Sequence, residues 1–352
     1  MAASDARSEV ARVAVVGAGA WGTTIAAILG RQEPVTLLCH DPAVALEIES
    51  SRRNERRLPG VALPDGLHAT ADVPALTAAA DLVVFAVPST HLRAEVARVA
   101  SAIPASADLL SLVKGLETGS LARMSEVIID AGGIAPERVA VLSGPNLASE
   151  IARGLPASAV VASADPALAK RVVERLGRRE FRLYVNSDVL GVELCGALKN
   201  IIAIAAGAAD GLGFGDNGKA SLMTRGLAEM MRVGIAAGAN PLTFAGLAGI
   251  GDVIATCGSR LSRNHRLGEE LAKGRSWAEL ETALPGTAEG AYTVDAALAL
   301  ADRLGVEMPI AREVHRALFE GKSVQRCLID LLARESKDES LDLGAWAGRP
   351  VG

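Results

Sequence analysis

The chain has 352 residues and a formal net charge of -5; 50% of its residues are hydrophobic and 3% are aromatic. The length favours two domains, and the acidic balance argues against nucleic acid as the main partner. Four cysteines without a CxxC pair, and the absence of an uncharged apolar run of about 18 residues, predict a cytoplasmic protein with no metal site and no stable membrane insertion.

The first half of the sequence alternates short apolar strands with helix-like segments. Strands are predicted at residues 12–16, 34–39, 81–89, 107–115 and 138–145, and AVVASA and FRLYVN extend the pattern to about residue 187. Nearly continuous apolar strands of this kind are typical of a mostly parallel sheet that is covered on both faces. We therefore expect an α/β domain of the Rossmann type.

The pattern changes near residue 188. From there to about residue 335 the segments have helical character, with Gly, Pro and polar residues between them. We therefore expect a Rossmann-like domain at 1–188, an all-helical domain at 189–340 and a flexible tail at 341–352.

A glycine motif, G-x-G-x-x-G, lies between the first predicted strand and the helix that follows. Gly17 permits a tight turn, Gly19 lets a pyrophosphate approach the backbone, and Gly22 lets helix and strand pack closely. The free N–H groups at the start of the helix, where Ala20 and Trp21 lie, favour an anion. The motif predicts dinucleotide binding, and a glycine turn needed only for packing is the alternative.

The segment CHDP follows the second strand, where the choice between NAD and NADP is usually made. Asp41 could accept hydrogen bonds from a ribose. His40 could instead face a 2′-phosphate, helped by an arginine of the run that follows: Arg52, Arg53, Arg56 or Arg57. A solvated basic face is the alternative for that run, so both NADH and NADPH stay open.

Polar residues follow three other strands of the predicted sheet. In open α/β sheets, ligands bind beyond the carboxyl ends of the strands. Lys114 could meet an anion or a substrate hydroxyl there, and an ordinary exposed loop lysine is the alternative. Ser89 lies at a similar strand end, and Asn146 could cap the helix that follows it.

One lysine, Lys199, lies within ALKNIIAIAAGAADG, a run of small and apolar residues. No carboxylate lies at helical spacing from it, and its helix face carries Cys195, Gly196 and Ala203. Desolvation would lower its pKa and make it usable as a base near neutrality. The alternative is a lysine whose amine reaches solvent from a packed helix. Its neighbour Asn200 could contact a substrate or be structural.

Three arginines, Arg260, Arg263 and Arg266, recur every three residues. A guanidinium fork suits phosphate geometry, and a helix that begins near Ser262 would add the attraction of its N-terminal dipole. The pattern predicts a phosphate site, with a salt-bridged surface helix as the alternative. Two carboxylates in this half belong either to the site or to the packing: Asp252 and Glu289.

In this order, the segments resemble the bacterial-type NAD(P)-dependent sn-glycerol-3-phosphate dehydrogenases over roughly residues 12–330. The resemblance is carried by GAGAWGTT, VKGLE, SGPNLASEIARGLP, GVELCGALKNIIAIAAGAADGLGFGDN, TRGLAEM, GLAGIGDVIATC and SRNHRLG. Three positions depart from the family pattern: Asn146 replaces Ser or Thr, Arg57 replaces Tyr, and Thr287 replaces an aliphatic residue.

The resemblance implies a Rossmann domain joined to an all-helical substrate domain of the 6-phosphogluconate-dehydrogenase C-terminal kind, in a homodimer. It implies reversible reduction of dihydroxyacetone phosphate to sn-glycerol 3-phosphate for glycerophospholipid synthesis, with Lys199 as the catalytic proton donor and acceptor. The implied substrate contacts are Lys114, Gly144, Asn146, Lys199, Asp252, Ser262, Arg263 and Asn264. The implied coenzyme contacts, with those of the glycine motif, are Gly17, Gly19, Ala20, Trp21, Gly22, His40, Lys114, Ala148, Arg263, Thr287 and Glu289.

Two other functions fit parts of the same sequence. A two-domain reductase that acts on an unphosphorylated branched hydroxy acid would share the architecture but would leave the arginine cluster idle. A coenzyme-sensing regulator without activity would bind dinucleotide but would not oxidise it with dihydroxyacetone phosphate.

Overall fold

The computed structural model describes residues 12–76, 80–284 and 286–335. The tail predicted at 341–352, and residues 336–340 of the predicted helical domain, lie outside the described residues.

An eight-stranded sheet forms the first half of the described chain. Its strands are Val13–Val16 (β1), Val35–Leu38 (β2), Leu67–Thr70 (β3), Leu82–Phe85 (β4), Asp108–Ser111 (β5), Val139–Ser143 (β6), Ala157–Ser163 (β7) and Phe181–Asn186 (β8). Their order is β3-β2-β1-β4-β5-β6-β7-β8, and every neighbouring pair is parallel except β6 and β7. The expected mostly parallel sheet is therefore confirmed.

The strand order reverses between β1 and β4, because β1 pairs with β2 on one side and with β4 on the other. At such a switch point the connections leave in opposite directions, and a crevice opens at the carboxyl ends of the strands. The glycine motif lies in this crevice, directly after β1. Strand β3 was not expected, because its sequence LHAT alternates buried and exposed residues and follows a long polar stretch.

Helices cover both faces of the sheet. They are Ala20–Gly30 (α1), Pro42–Ser51 (α2), Leu92–Val99 (α3), Met124–Gly132 (α4), Ala148–Ala152 (α5) and Pro166–Leu176 (α6). Two separate apolar cores form, one on each face, and the strands β1, β2, β4 and β5 are buried along almost their whole length. Burial on both faces explains why these strands have continuous apolar sequences.

The second half of the described chain is helical. Its helices are Val189–Gly211 (α7), Gly215–Ala237 (α8), Pro241–Phe244 (α9), Asp252–Gly258 (α10), Arg263–Ala272 (α11), Trp277–Ala283 (α12), Glu289–Leu304 (α13), Pro309–Phe319 (α14) and Val324–Leu332 (α15). A single π-helical turn, Leu247–Gly251, leads into α10.

Helix α7 runs through the centre of this half, and its small residues let α11 lie against it. A Cβ on Gly207 would stand 1.9 Å from the carbonyl oxygen of His265, and a Cβ on Gly268 would stand 1.9 Å from that of Ile204. Neither glycine can carry a side chain, because each meets backbone rather than a movable side chain. The backbones of α7 and α11 are therefore in direct contact, Gly207 with His265 and Gly268 with Ile204.

The two halves of the chain are joined by buried polar contacts. On α7, Glu193 accepts hydrogen bonds from the backbone N–H of Ser125 at 2.8 Å and from its hydroxyl at 2.6 Å, and it pairs with Arg123 at 2.6 Å. The side chain therefore satisfies the N-terminus of α4 and fixes α7 against the sheet domain.

Two described segments are long and apolar enough to cross a bilayer by length and composition, Val189–Gly211 and Pro241–Gly258. In the first, 83% of the apolar window is buried inside the protein, and in the second 44%. A buried core helix such as α7 has this composition without any contact with lipid.

Candidate active site

The glycine motif forms a cradle at the N-terminus of α1. Gly17 has φ +111°, and a Cβ on Gly22 would stand 2.0 Å from the carbonyl oxygen of Gly17. Around Gly19 there is space, since a Cβ there would meet only the carbonyl oxygen of Ala86, at 4.0 Å. The tight turn, the close packing and the open N-terminus fit a dinucleotide pyrophosphate.

Lys199 extends from α7 towards the first turn of α10. Its Nζ is 3.0 Å from Oδ1 of Asp252 and 2.7 Å from Oγ1 of Thr256. The other carboxylate oxygen of Asp252 accepts a 2.6 Å bond from Nζ of Lys114, which also donates to the carbonyl of Gly144 at 2.9 Å. One carboxylate thus joins two ammonium groups, one from each half of the chain.

These three charged side chains are shielded from water, with 1% of Asp252, 8% of Lys199 and 15% of Lys114 exposed. Burial, partly offset by Asp252, lowers the pKa of Lys199 to about 8. Burial alone would raise the pKa of Asp252, but the two ammonium groups hold it below its usual range. An amine with a pKa near neutrality can both give and take a proton.

Two asparagines tie the N-terminus of α11 to the helix that carries Lys199. Nδ2 of Asn264 donates to Oδ1 of Asn200 at 2.8 Å, and Oδ1 of Asn264 accepts from the backbone N–H of Gly290 at 2.9 Å. The amide of Asn200 also donates to the carbonyl of Gly196, at 3.3 Å. Asn264 therefore holds α7, α11 and α13 together beside the lysine.

Arg263 begins α11, and Ser262 caps it by accepting from the backbone N–H of His265 at 3.2 Å. The expected helix start is confirmed. Burial lowers the pKa of Arg263, and Glu289 acts in the opposite direction. The guanidinium has no hydrogen-bond or ion-pair partner among residues 12–76, 80–284 and 286–335, so its donors and the helix N-terminus can meet an anion together.

Glu289, the first residue of α13, reaches across to the sheet domain. It accepts hydrogen bonds from the hydroxyl of Ser89 and from its backbone N–H, the latter at 3.3 Å. Ser89 also touches the position that a Cβ of Gly115 would take, next to Lys114. The Glu289–Ser89 contact therefore joins the helical half to the strand ends of the sheet domain, near Lys114.

The structure brings most of the predicted site residues into one region and shows the surroundings of three further residues, Asn146, Asp41 and His40. Asn146 does not cap a helix, because α5 begins after Leu147, and both of its buried amide atoms have no hydrogen-bond partner among the residues that the structure describes. Asp41 caps α2 by accepting from the backbone N–H of Ala43. His40 is 85% exposed and lies 3.2 Å from Glu95.

The basic run after α2 is partly occupied by structural contacts. Arg52 donates to the carbonyls of Pro64 and Leu67, and Arg53 pairs with Glu55 at 2.9 Å. The guanidinium groups of these two arginines therefore have partners within the protein. Arg57 lies close enough to Arg263 to act on its pKa.

The remaining expected coenzyme residues lie around the cradle and the start of α13. Trp21 packs edge-on against Phe181, and its buried indole N–H has no partner in the described part of the chain. The carbonyl of Ala148 accepts from the hydroxyl of Thr24 at 3.2 Å, which places the start of α5 against α1. Thr287 is half-buried, two residues before Glu289.

Thr256 is a residue of the lysine site that was not predicted from the sequence. Its hydroxyl accepts from Lys199 and donates to Asp252 at 2.8 Å. The signal was present, because Thr256 follows Asp252 by four residues and so shares its helix face.

A glycine cradle at a strand switch point, facing a buried lysine–carboxylate pair on a helical domain, defines a two-domain nicotinamide-dependent oxidoreductase. The two halves of the NAD-dependent glycerol-3-phosphate dehydrogenase family model match this chain, the N-terminus at residues 12–169 and the C-terminus at residues 188–329. The chain belongs to the NAD-dependent glycerol-3-phosphate dehydrogenase family.

Relatives agree with this assignment over nearly the whole chain. The glycerol-3-phosphate dehydrogenase (NAD(P)+) of Frankia casuarinae is 48% identical over 329 residues, covering 93% of this chain and 98% of that protein. The protein of the same name from Streptomyces coelicolor is 47% identical, covering 94% and 99%.

Solved structures show the same architecture. The glycerol-3-phosphate dehydrogenase of Coxiella burnetii has a TM-score of 0.88 and 38% identity, covering 92% of this chain and 99% of that chain. A ketopantoate reductase from Ralstonia eutropha has a TM-score of 0.58 and 19% identity, covering 91% and 99%, and shares the fold alone.

Proposed function

We propose that this protein catalyses the reversible, NAD(P)H-dependent reduction of dihydroxyacetone phosphate to sn-glycerol 3-phosphate. The observation that carries the proposal is the Lys199 amine, buried between Asp252 and Thr256. The next residue on its helix, Asn200, is hydrogen-bonded to Asn264 in the first turn of α11, beside Arg263. A proton-exchanging amine on α7 and an anion site at the start of the adjacent helix α11 suit a small phosphorylated ketone.

The proton transfer falls to Lys199. When bound, the nicotinamide coenzyme supplies or accepts the hydride at C2 of the substrate. Lys199 donates its proton to the C2 oxygen during reduction and takes it back during oxidation, which a pKa of about 8 allows in both directions near neutral pH. Its positive charge also stabilises negative charge that develops on that oxygen. Asp252 holds the ammonium in position and keeps it charged.

Arg263 and the N-terminus of α11 would bind the phosphate, with Ser262 and Asn264 fixing that corner. Lys114, Gly144 and Asn146 would complete the substrate site from the sheet side. Holding the phosphate and C2 at once restricts the substrate to a reactive pose, which lowers the entropic part of the barrier.

The expected coenzyme contacts belong to the same proposal. The coenzyme would bind mainly to the Rossmann-like domain at residues 1–188, and three contacts would come from the helical half. The proposed contacts are Gly17, Gly19, Ala20, Trp21, Gly22, His40, Lys114 and Ala148 in the first domain, and Arg263, Thr287 and Glu289 in the second. Residues 189–335 would supply most of the substrate site. We also propose that the protein is a cytoplasmic homodimer that supplies glycerophospholipid synthesis, as the family resemblance implies.

The decisive experiment measures oxidation of NADH and of NADPH, side by side, with dihydroxyacetone phosphate and with unphosphorylated dihydroxyacetone. We expect turnover with the phosphorylated ketone and at least about 100-fold lower kcat/KM without the phosphate, because a charged hydrogen-bonded pair contributes about 3 kcal/mol. Coenzyme binding without turnover of either ketone would support the sensing regulator instead. Equal rates with both ketones would favour a reductase of unphosphorylated substrates.

A further inference from the structure

Ser143, the last residue of β6, has a hydroxyl that the fold does not use. The residue is 4% exposed, and its Oγ is buried with no hydrogen-bond partner among the described residues. Other buried serines of the sheet domain are satisfied: the hydroxyl of Ser163 donates to the carbonyl of Val139, and that of Ser125 to Glu193. A buried hydroxyl without a partner is costly, so this one calls for a ligand atom.

The hydroxyl of Ser143 lies at the wall of the active site. A Cβ on Gly196 would stand 2.9 Å from Oγ of Ser143 and 3.4 Å from Cγ of Lys114. Gly196 precedes Lys199 by three residues on α7 and therefore shares its helix face. Ser143 thus lies beside the stem of Lys114, one helical turn from the Lys199 backbone.

Two contacts along α7 indicate how the substrate would be oriented relative to this helix. Asn200 contacts Asn264, beside the proposed phosphate site, whereas Gly196 contacts Ser143. These two positions are four residues apart, or about 6 Å along the helix axis. Lys199, which meets the C2 oxygen, lies between them.

In dihydroxyacetone phosphate the phosphate and the free hydroxyl are attached to carbons on opposite sides of C2. With the phosphate at the Arg263 end and C2 at Lys199, the free hydroxyl must point back along α7 towards Gly196. Because Gly196 has no side chain, the hydroxyl of Ser143 and the stem of Lys114 both lie directly against α7 at that position.

We propose that Ser143 hydrogen-bonds the free C1 hydroxyl of the substrate and so selects three-carbon ketones that carry it. This inference rests on the proposed function and adds a specificity-determining contact to the same site. Within the described ranges, a second buried hydroxyl without a partner, that of Thr293, lies beside Gly115 and Ser89. Ser89 is hydrogen-bonded to Glu289, which is one of the proposed coenzyme contacts. We therefore assign Thr293 to the coenzyme site and not to the substrate hydroxyl.

The test compares dihydroxyacetone phosphate with acetol phosphate, which has a methyl group in place of the free CH2OH group. The kcat/KM of each ketone is measured with saturating coenzyme for the wild type, Ser143→Ala and Ser143→Cys. The cysteine variant keeps a side chain of similar shape but a weak donor. Ser163→Ala is the matched control, because it removes a buried serine hydroxyl from the adjoining strand β7, where its partner is a backbone carbonyl.

We expect the wild type to prefer dihydroxyacetone phosphate, and both Ser143 variants to lose roughly 10-fold of that preference through a lower kcat/KM for dihydroxyacetone phosphate alone. Ser163→Ala should keep the wild-type ratio, even if its melting temperature falls. Equal losses on both ketones, or an unchanged ratio, in a folded Ser143 variant would overturn the inference and leave the proposed function intact. Failure of the wild type to reduce dihydroxyacetone phosphate would refute the proposed function, and this inference with it.

Discussion

Replacing Asp252 by Asn removes the only carboxylate that contacts either lysine of the Lys114–Lys199 pair within the described part of the chain. The shape of the side chain is kept, so the change is mainly one of charge. At 3.0 Å, two unit charges interact by about 5 kcal/mol at an effective dielectric constant of 20, which corresponds to about 4 pKa units as an upper bound. Relaxation and water entry reduce this, and we expect the pKa of Lys199 to fall by at least about 1 unit.

The pH profile of kcat/KM measures this change. Reduction of dihydroxyacetone phosphate needs the protonated amine, so in the wild type it should decline as the pH rises through about 8. In Asp252→Asn the decline should occur at about pH 7 or below. Oxidation of sn-glycerol 3-phosphate needs the neutral amine, and its rise should move in the same direction.

Thr256→Val provides the matched control. It removes the 2.7 Å hydrogen bond to Lys199 but leaves the carboxylate in place, so its profile should stay within about half a unit of the wild type. If Asp252→Asn and Thr256→Val had the same profile as the wild type, Lys199 would not be the group that titrates. Asp252→Asn should also destabilise the fold by roughly 3–5 kcal/mol, because two buried ammonium groups lose their counterion. Chemical denaturation would measure that loss.

Three further changes test other parts of the structure. Lys199→Ala should lower kcat at least about 100-fold while coenzyme binding, followed by fluorescence titration, is retained; near-normal stopped-flow turnover would reject its role. Gly22→Ala should weaken coenzyme binding and lower the melting temperature, because its Cβ would stand 2.0 Å from a backbone oxygen; an unaltered titration would contradict the close packing. Burial raises the pKa of Glu229 to about 7, although it accepts from the backbone N–H groups of Ile310 and Ala311. Because this folded-state pKa lies above the usual value, stability should be full below about pH 4.5 for this group and fall by up to about 3 kcal/mol as the pH rises through 7. Glu229→Gln should remove that slope from urea melts, and a slope that persists would assign it to another group.

The sequence by itself determined the features that depend on local order along the chain. The continuous apolar strands indicated a sheet buried on both faces, the glycine spacing indicated the cradle at the end of β1, and Ser262 indicated the start of α11. Each is encoded within about ten consecutive residues, because backbone conformation and helix capping respond to immediate neighbours.

Only the tertiary structure decided which charges meet. Lys199 has no carboxylate partner on its own helix face, and its partner Asp252 is 53 residues away in sequence, while the same carboxylate reaches Lys114 across 138 residues. His40 lies 3.2 Å from Glu95, 55 residues away in sequence, and Asn146 was expected to cap the helix that follows it, but that helix begins after Leu147. Electrostatic partners are chosen by distance in space, which depends on how α7, α10 and the strand ends pack, and no periodicity in the sequence records that distance.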